Sequence, residues 1–269
     1  MYDTNKIKLI VCDIDGTLLL PKQQRLTEKT RQAFRKAMDK NLKIMINTGR
    51  HFTFLQESLF TDLPMDYIGT INGGCLKDRN GKTLDKHPMS EQTMRTLTEI
   101  SREKGIGLGF KFEDAVVTYA NHECFVEGYC TSEAEAAKVI DGTKDCRHHE
   151  QAGYPLGTFL ICGDETIEEL KPLMPEMVFA WSFRNGFDAF LKSVTKSLCV
   201  EPVLDIMGIG WENVIAFGDA GNDTDFIRKA GIGVAMGNAK DDVRSAADYV
   251  ALPCAEDGVA CALEDLGII

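Results

Sequence analysis

The chain is predicted to fold as an α/β protein, with a parallel sheet interrupted after its third strand by an inserted α+β unit. Three patterns carry that expectation. Short apolar runs alternate with amphipathic helical stretches as far as Ile71, clustered short runs joined by turn residues follow, and the alternation returns near Lys196. Strands that alternate with helices build parallel sheets with right-handed crossovers, whereas clustered short strands signal hairpins.

Taken in order, Ile7 to Cys12 is a near-continuous apolar run, as expected of a strand covered on both faces. Thr27 is placed to cap a helix reaching about Lys40, with Ala33, Phe34, Ala37 and Met38 as its apolar stripe. Leu42–Ile46 and Tyr67–Ile71 read as strands two and three, with a helix over His51–Phe60 between them. Asn80-Gly81 is a hairpin signal. Ser90 caps a helix through Lys104 that Gly105 stops, and Leu108–Phe112 with Val116–Tyr119 form a second hairpin. A helix at Ser132–Ile140, a strand at Thr158–Ile161, a helix at Ile167–Leu173 and strands at Val178–Phe183 and Phe187–Leu191 complete the middle block.

The parallel rhythm then resumes with a helix from Lys196, interrupted in pattern by Pro202, and a strand at Val214–Phe217. After these come a helix at Thr224–Ala230, a strand at Ile232–Met236, a helix from Asp241 and a short strand at Tyr249–Ala251. The expected division is 1–81 with 187–269 for the parallel domain and 82–186 for the insertion.

Composition narrows the function. The 269 residues carry 30 Lys+Arg against 41 Asp+Glu, a formal charge of −11, which argues against nucleic acid and anionic membranes as partners. No apolar run approaches the roughly 20 residues of a membrane span, and the segment Met1–Lys6 has no signal-peptide pattern, so a cytoplasmic protein is expected. The nine cysteines lack any C-x-x-C spacing and read as free thiols in a reducing compartment. Cys146, His148 and His149 read as a polar turn. The sequence carries no signal of oligomeric state.

The chemistry clusters at predicted strand ends. Asp13-Ile14-Asp15-Gly16-Thr17 follows the first strand, Thr48-Gly49-Arg50 the second, and Gly218-Asp219-Ala220-Gly221-Asn222-Asp223 the strand Val214–Phe217. Each alone is an ordinary turn or helix cap. Together they place several carboxylates at one sheet edge, where ligands bind in open α/β sheets. So many acids repel one another without a cation, and hard oxygen ligands suit Mg²⁺.

This set, with Lys196 opening a helix, resembles the four motifs of the haloacid dehalogenase superfamily. Gly233-Val234-Ala235-Met236-x-Asn238-Ala239 and Glu256-Asp257-Gly258-Val259 resemble its Cof-type phosphatases. The resemblance implies a Rossmann-like doubly wound core with an inserted α+β cap domain of type two, subclass B. It implies a Mg²⁺-dependent phosphatase acting on a small phosphorylated metabolite through an aspartyl-phosphate. Asp13 would be the nucleophile and Asp15 the general acid and base. Asp13, the Asp15 carbonyl, Asp219 and Asp223 would hold the metal. Thr48 with Gly49, Lys196 and Asn222 would bind the phosphoryl group, and Arg50 and Asn72 would face the leaving group. Ser197 departs from the family pattern, which usually has glycine after the lysine.

Sugar phosphates, nucleotide cofactors and pyridoxal phosphate all remain open as substrates. A phosphomutase of the same superfamily would share these motifs. A metal-dependent glycosyltransferase would explain Asp13 and Asp15 but not Lys196 or Gly218–Asp223, and a non-catalytic phosphoester-binding protein would not need the full set.

Overall fold

The computed structural model describes residues 3–269; Met1 and Tyr2, which open the N-terminal segment read above, lie outside the described residues. The chain divides into two compact units. The first runs to Thr48 and takes in Leu55–Asp85 and Thr195–Ile269; the second consists of Gly49–Phe54 and Lys86–Val194.

In chain order the elements begin with β1 (Leu9–Cys12), α1 (Glu28–Asp39), β2 (Lys43–Asn47), α2 (Glu57–Asp62), β3 (Tyr67–Thr70), β4 (Cys75–Asp78) and β5 (Thr83–Lys86). The middle contributes α3 (Glu91–Lys104), β6 (Gly107–Lys111), β7 (Val116–Ala120), α4 (His122–Tyr129), α5 (Glu133–Ala136) and β8 (Val139–Asp141). It continues with α6 (His149–Ala152), β9 (Gly157–Ile161), α7 (Asp164–Leu170), β10 (Met177–Phe183) and β11 (Gly186–Leu191). The last third supplies α8 (Lys196–Met207), β12 (Val214–Gly218), α9 (Thr224–Lys229), β13 (Ile232–Ala235), α10 (Asp241–Arg244), β14 (Tyr249–Val250) and α11 (Gly258–Asp265).

The first unit is built on an eight-stranded sheet in the order β14-β13-β12-β1-β2-β3-β4-β5. Pairings from β14 through β3 are parallel, and β4 turns back antiparallel to β3. Every residue of β1 and β12 is buried, as their apolar sequences require of strands covered on both faces. The chain winds outward from β1 through β2 and β3 on one side, and through β12, β13 and β14 on the other. That reversal makes the carboxyl ends of β1 and β12 a topological switch point, the position where open α/β sheets bind ligands.

Helix α1 starts as expected, with the Thr27 hydroxyl accepting from the Thr30 N–H and Ala33, Phe34 and Ala37 buried. Met38, assigned to the same stripe, is 45% exposed instead. The helix expected over His51–Phe60 is broken: a single 3-10 turn spans Phe52–Phe54, and α2 begins only at Glu57. The His51 imidazole bonds Thr53 through both its hydroxyl and its N–H, a local bond that competes with helical pairing. Helix α8 runs through Pro202 without ending.

The second unit carries a six-stranded sheet in the order β10-β11-β9-β6-β7-β8, antiparallel except for β7 with β8. It extends to Val194 rather than ending at 186, because β11 pairs on both sides within this sheet. The helix expected over Ser132–Ile140 stops at Ala136, and the β-branched pair Val139-Ile140 joins the sheet as β8. Helices α4 and α11 had no counterpart in the sequence reading. Phe110, Phe112, Tyr119, Phe125 and Phe159 are core, whereas Trp181 is 63% exposed.

Among the described residues all nine cysteines are free, and Cys12, Cys75, Cys130, Cys199 and Cys254 are buried. Cys146 contacts Arg102 and the Tyr119 carbonyl, His148 contacts Asp114, and His149 contacts the Tyr119 hydroxyl. No helix among the described residues is long and apolar enough to cross a membrane.

Candidate active site

The first unit brings Asp13, Asp15, Thr48, Asn72, Lys196, Asp219, Asn222 and Asp223 onto the loops that follow its strands and the start of α8. Gly49 and Arg50 belong to the second unit, where the Gly49 carbonyl accepts from the buried Lys111 ammonium and Arg50 donates to the Phe54 carbonyl.

Asp13 continues β1 by one residue, its N–H donating to the Phe217 carbonyl at 3.0 Å. The side chain is nearly buried. Lys196 reaches it from the first residue of α8: the ammonium donates to Asp13 Oδ1 at 2.6 Å and to Asp223 Oδ1 at 2.6 Å. Asp223 is fully buried, and its other oxygen accepts the N–H groups of Asp219 and Ala220 at 2.9 and 3.0 Å. One carboxylate thus anchors the lysine and folds the Gly218–Asp223 loop.

Asp219 completes the acidic group. One oxygen each from Asp13, Asp219 and Asp223 lies within 4.8 Å of the others. Thr17 donates to Asp219 Oδ1 at 3.3 Å, while Asn238 donates to Asp219 Oδ2 at 3.3 Å and to the Gly16 carbonyl at 2.9 Å. Gly16 has φ +83°, and a Cβ there would run into the Asp219 carboxylate, so any other residue in the turn after Asp15 strains the backbone and displaces Asp219.

The electrostatics follow from burial. Burial pushes the Asp13 carboxyl up; Lys196 pulls it down, but the charges of Asp223 and Asp15 add to burial, and the net direction is up. Burial, then the Asp223 charge, raise Asp219 to about 6. Burial alone would depress Lys196, yet Asp13 and Asp223 more than offset it and keep the ammonium charged. Three carboxylates thus crowd around one ammonium, and the charged forms of Asp13 and Asp219 are disfavoured.

Beside this group, Thr48 is buried, its N–H donating to the Gly69 carbonyl and its carbonyl accepting from the Asn72 N–H. Asn72 sits at φ 55° and its Oδ1 accepts from Asn222 Nδ2 at 2.8 Å. Ile71 shares the positive φ, an uncommon conformation for a β-branched residue. Asn47, Asn238 and Asp225 join the site without a strand-end signal of their own. Asn238 lay in a quoted motif, and the other two stand one and two residues from Thr48 and Asp223 without any spacing signal.

A sequence profile of haloacid dehalogenase-like hydrolases matches residues 10–263. A bifunctional phosphatase/peptidyl-prolyl isomerase of Streptococcus pyogenes is 27% identical over 274 residues; the alignment takes in 100% of this chain, which spans about half (56%) of that protein. The 5-amino-6-(5-phospho-D-ribitylamino)uracil phosphatase YcsE of Bacillus subtilis is 28% identical over 257 residues, 96% of this chain and 94% of its own. Among solved structures, the subclass IIB sugar phosphatase BT4131 superposes with a TM-score of 0.83 at 28% identity, covering 97% of this chain and 100% of that one. With the match spanning nearly the whole length, the chain belongs to the haloacid dehalogenase-like hydrolases, within their Cof-type branch.

Proposed function

We propose that this hydrolase is a Mg²⁺-dependent phosphatase that cleaves a small phosphate monoester through an aspartyl-phosphate on Asp13. The observation that carries the reading is the Lys196 ammonium held between two buried carboxylates, with Asp219 close by. The similarity to a sugar phosphatase and to a phosphatase of a ribityl phosphate supports a phosphorylated sugar or polyol as the substrate class.

The residues fit a hard divalent cation. Three carboxylates converge around one ammonium, and burial with the Asp223 charge pushes Asp219 up to about 6, a shift that a bound cation would reverse. Asp13, the Asp15 carbonyl and Asp219 would hold the ion. Asp223, with both oxygens engaged by Lys196 and the loop amides, would support it by fixing that loop. Bound Mg²⁺ would supply the positive charge that lets a carboxylate approach a phosphate dianion.

Asp13 attacks phosphorus and releases the alcohol, dividing one slow displacement into two. Asp15, exposed at the turn, protonates the departing alkoxide and then takes a proton from the water that hydrolyses the acyl phosphate. Lys196 steers the Asp13 carboxylate and neutralises phosphoryl oxygens as a compact point charge. Thr48 and Asn222 bind the same group, and Asn72, bonded to Asn222, serves the edge of the site nearest the leaving group.

Phosphate release from sugar phosphates, nucleotides, pyridoxal phosphate and an aryl phosphate, with Mg²⁺ and with EDTA, tests the reading. Metal-dependent release from at least one ester is expected. Release that EDTA leaves unchanged would remove the metal from the account.

A further inference from the structure

Lys196 projects its ammonium on a long, rotatable stem, so the two 2.6 Å bonds to Asp13 and Asp223 depend on where the main chain at its root lies. The peptide that joins Lys196 to Ser197 is gripped at both ends. Its carbonyl accepts from Asn47 Nδ2 at 2.8 Å, and its N–H donates to Asp225 Oδ2 at 3.1 Å. Asn47 and Ser197 are both fully buried. The preceding peptide is confined too: a Cβ on Gly73, at φ +100°, would collide with the Thr195 carbonyl.

We infer that Asn47 and Asp225 are positioning residues that clamp the Lys196–Ser197 peptide and thereby place the Lys196 ammonium between Asp13 and Asp223. The inference rests on the phosphatase reading for its effect on turnover, but not for the clamp itself. The two residues come from the elements that carry the other motifs. Asn47 ends β2 just before Thr48, and Asp225 lies in the first turn of α9 just after Asp223. The elements that present Thr48 and follow Asp223 therefore also fix the lysine, and the three parts of the site hold one geometry.

Details of the bonding favour this role over simple helix capping. The Ser197 N–H is one of the first amides of α8, which no carbonyl of the same helix can satisfy. It is met from a different helix. Among the described residues the Ser197 hydroxyl makes no hydrogen bond, so the residue contributes its backbone alone, and Asn47 Oδ1 and Asp225 Oδ1 likewise lack partners. Each clamping side chain is thus held in place by the one bond it makes to this peptide, apart from packing. A buried amide and a carboxylate are costly to leave so sparsely paired, unless that bond is worth keeping.

The test uses the full chain with Asn47→Ala, Asp225→Ala and Asp225→Asn, the last retaining an acceptor oxygen. Steady-state release of phosphate from the best ester of the panel gives kcat and KM, and amide exchange at Ser197 reads the clamp directly. Displacing a catalytic group by about 1 Å costs on the order of 100-fold in rate. The alanine variants are expected to lose about 10- to 100-fold in kcat with a smaller change in KM. Asp225→Asn is expected to recover most of the rate, and Ser197 exchange to accelerate in Asp225→Ala. Wild-type kcat in both alanine variants would overturn the inference, as would an Asp225→Asn loss equal to that of Asp225→Ala. If the wild-type protein releases no phosphate from any ester, the phosphatase reading fails separately. Ser197 exchange then decides the clamp: acceleration supports it and no change overturns it.

Discussion

The ammonium of Lys196 stands 2.6 Å from a carboxylate oxygen of Asp13 and 2.6 Å from one of Asp223, and all three side chains are almost wholly excluded from water. Charges in that position are stable only in company. Removing one partner of a buried pair leaves the rest uncompensated and costs about 3–5 kcal/mol. Lys196→Met is therefore expected to lower stability by an amount of that order and to abolish phosphate release, as read by chemical denaturation and by assay. Lys196→Arg keeps the charge with a different shape; it should fold and still turn over far more slowly than wild type.

Asp219 gives a pH-dependent prediction whose sign is fixed by the direction of its shift. In the metal-free fold its pKa stands near 6, against 3.8 for an unperturbed aspartate, because burial and Asp223 disfavour the charged form. The folded state thus holds a proton that the unfolded state has already lost between those values. Its stability contribution declines as pH rises through about 4 to 6 and stays low above. Asp219→Asn cannot ionise, so with EDTA present the variant should match wild type near pH 4 and exceed it above pH 6. Thermal melts across that range check the difference. Added Mg²⁺ should reverse the order by stabilising wild type only.

Gly16 ties the first and last motifs together. Alanine there must adopt φ +83° and press its Cβ into the Asp219 carboxylate. Gly16→Ala is expected to cost about 1–2 kcal/mol from the backbone alone, and to weaken Mg²⁺ affinity, measured by titration calorimetry, because the carboxylate must move.

The sequence made the parallel core legible because its strands are continuous apolar runs that end in chemically loaded turns. Asp13, Thr48 and Asp219 could be placed at strand ends from that pattern, whereas Lys196 stood out through its resemblance to the family's lysine motif. What it did not carry were relations between distant residues. The lysine's partnership with Asp223 joins positions with no common periodicity, and the clamp by Asn47 and Asp225 acts on a main-chain peptide, which no side-chain pattern announces. The break at His51–Phe60 escaped for a related reason: the imidazole bonds its own neighbouring residue, and a helical spacing of apolar residues cannot register that competition. In the second unit the strand Val139–Asp141 was hidden behind a helix-capping serine, because Ser132 caps only the short α5 before the β-branched pair takes over.

The central claim is that Asp13 attacks phosphorus. Asp13→Asn preserves the shape of the side chain and removes its nucleophilicity, so it isolates that step. The measurement is Mg²⁺-dependent phosphate release by wild type and Asp13→Asn on the same ester, with folding checked by circular dichroism. Covalent catalysis predicts release by wild type and none above background in a folded Asp13→Asn. Release by Asp13→Asn at a rate near that of wild type would contradict it.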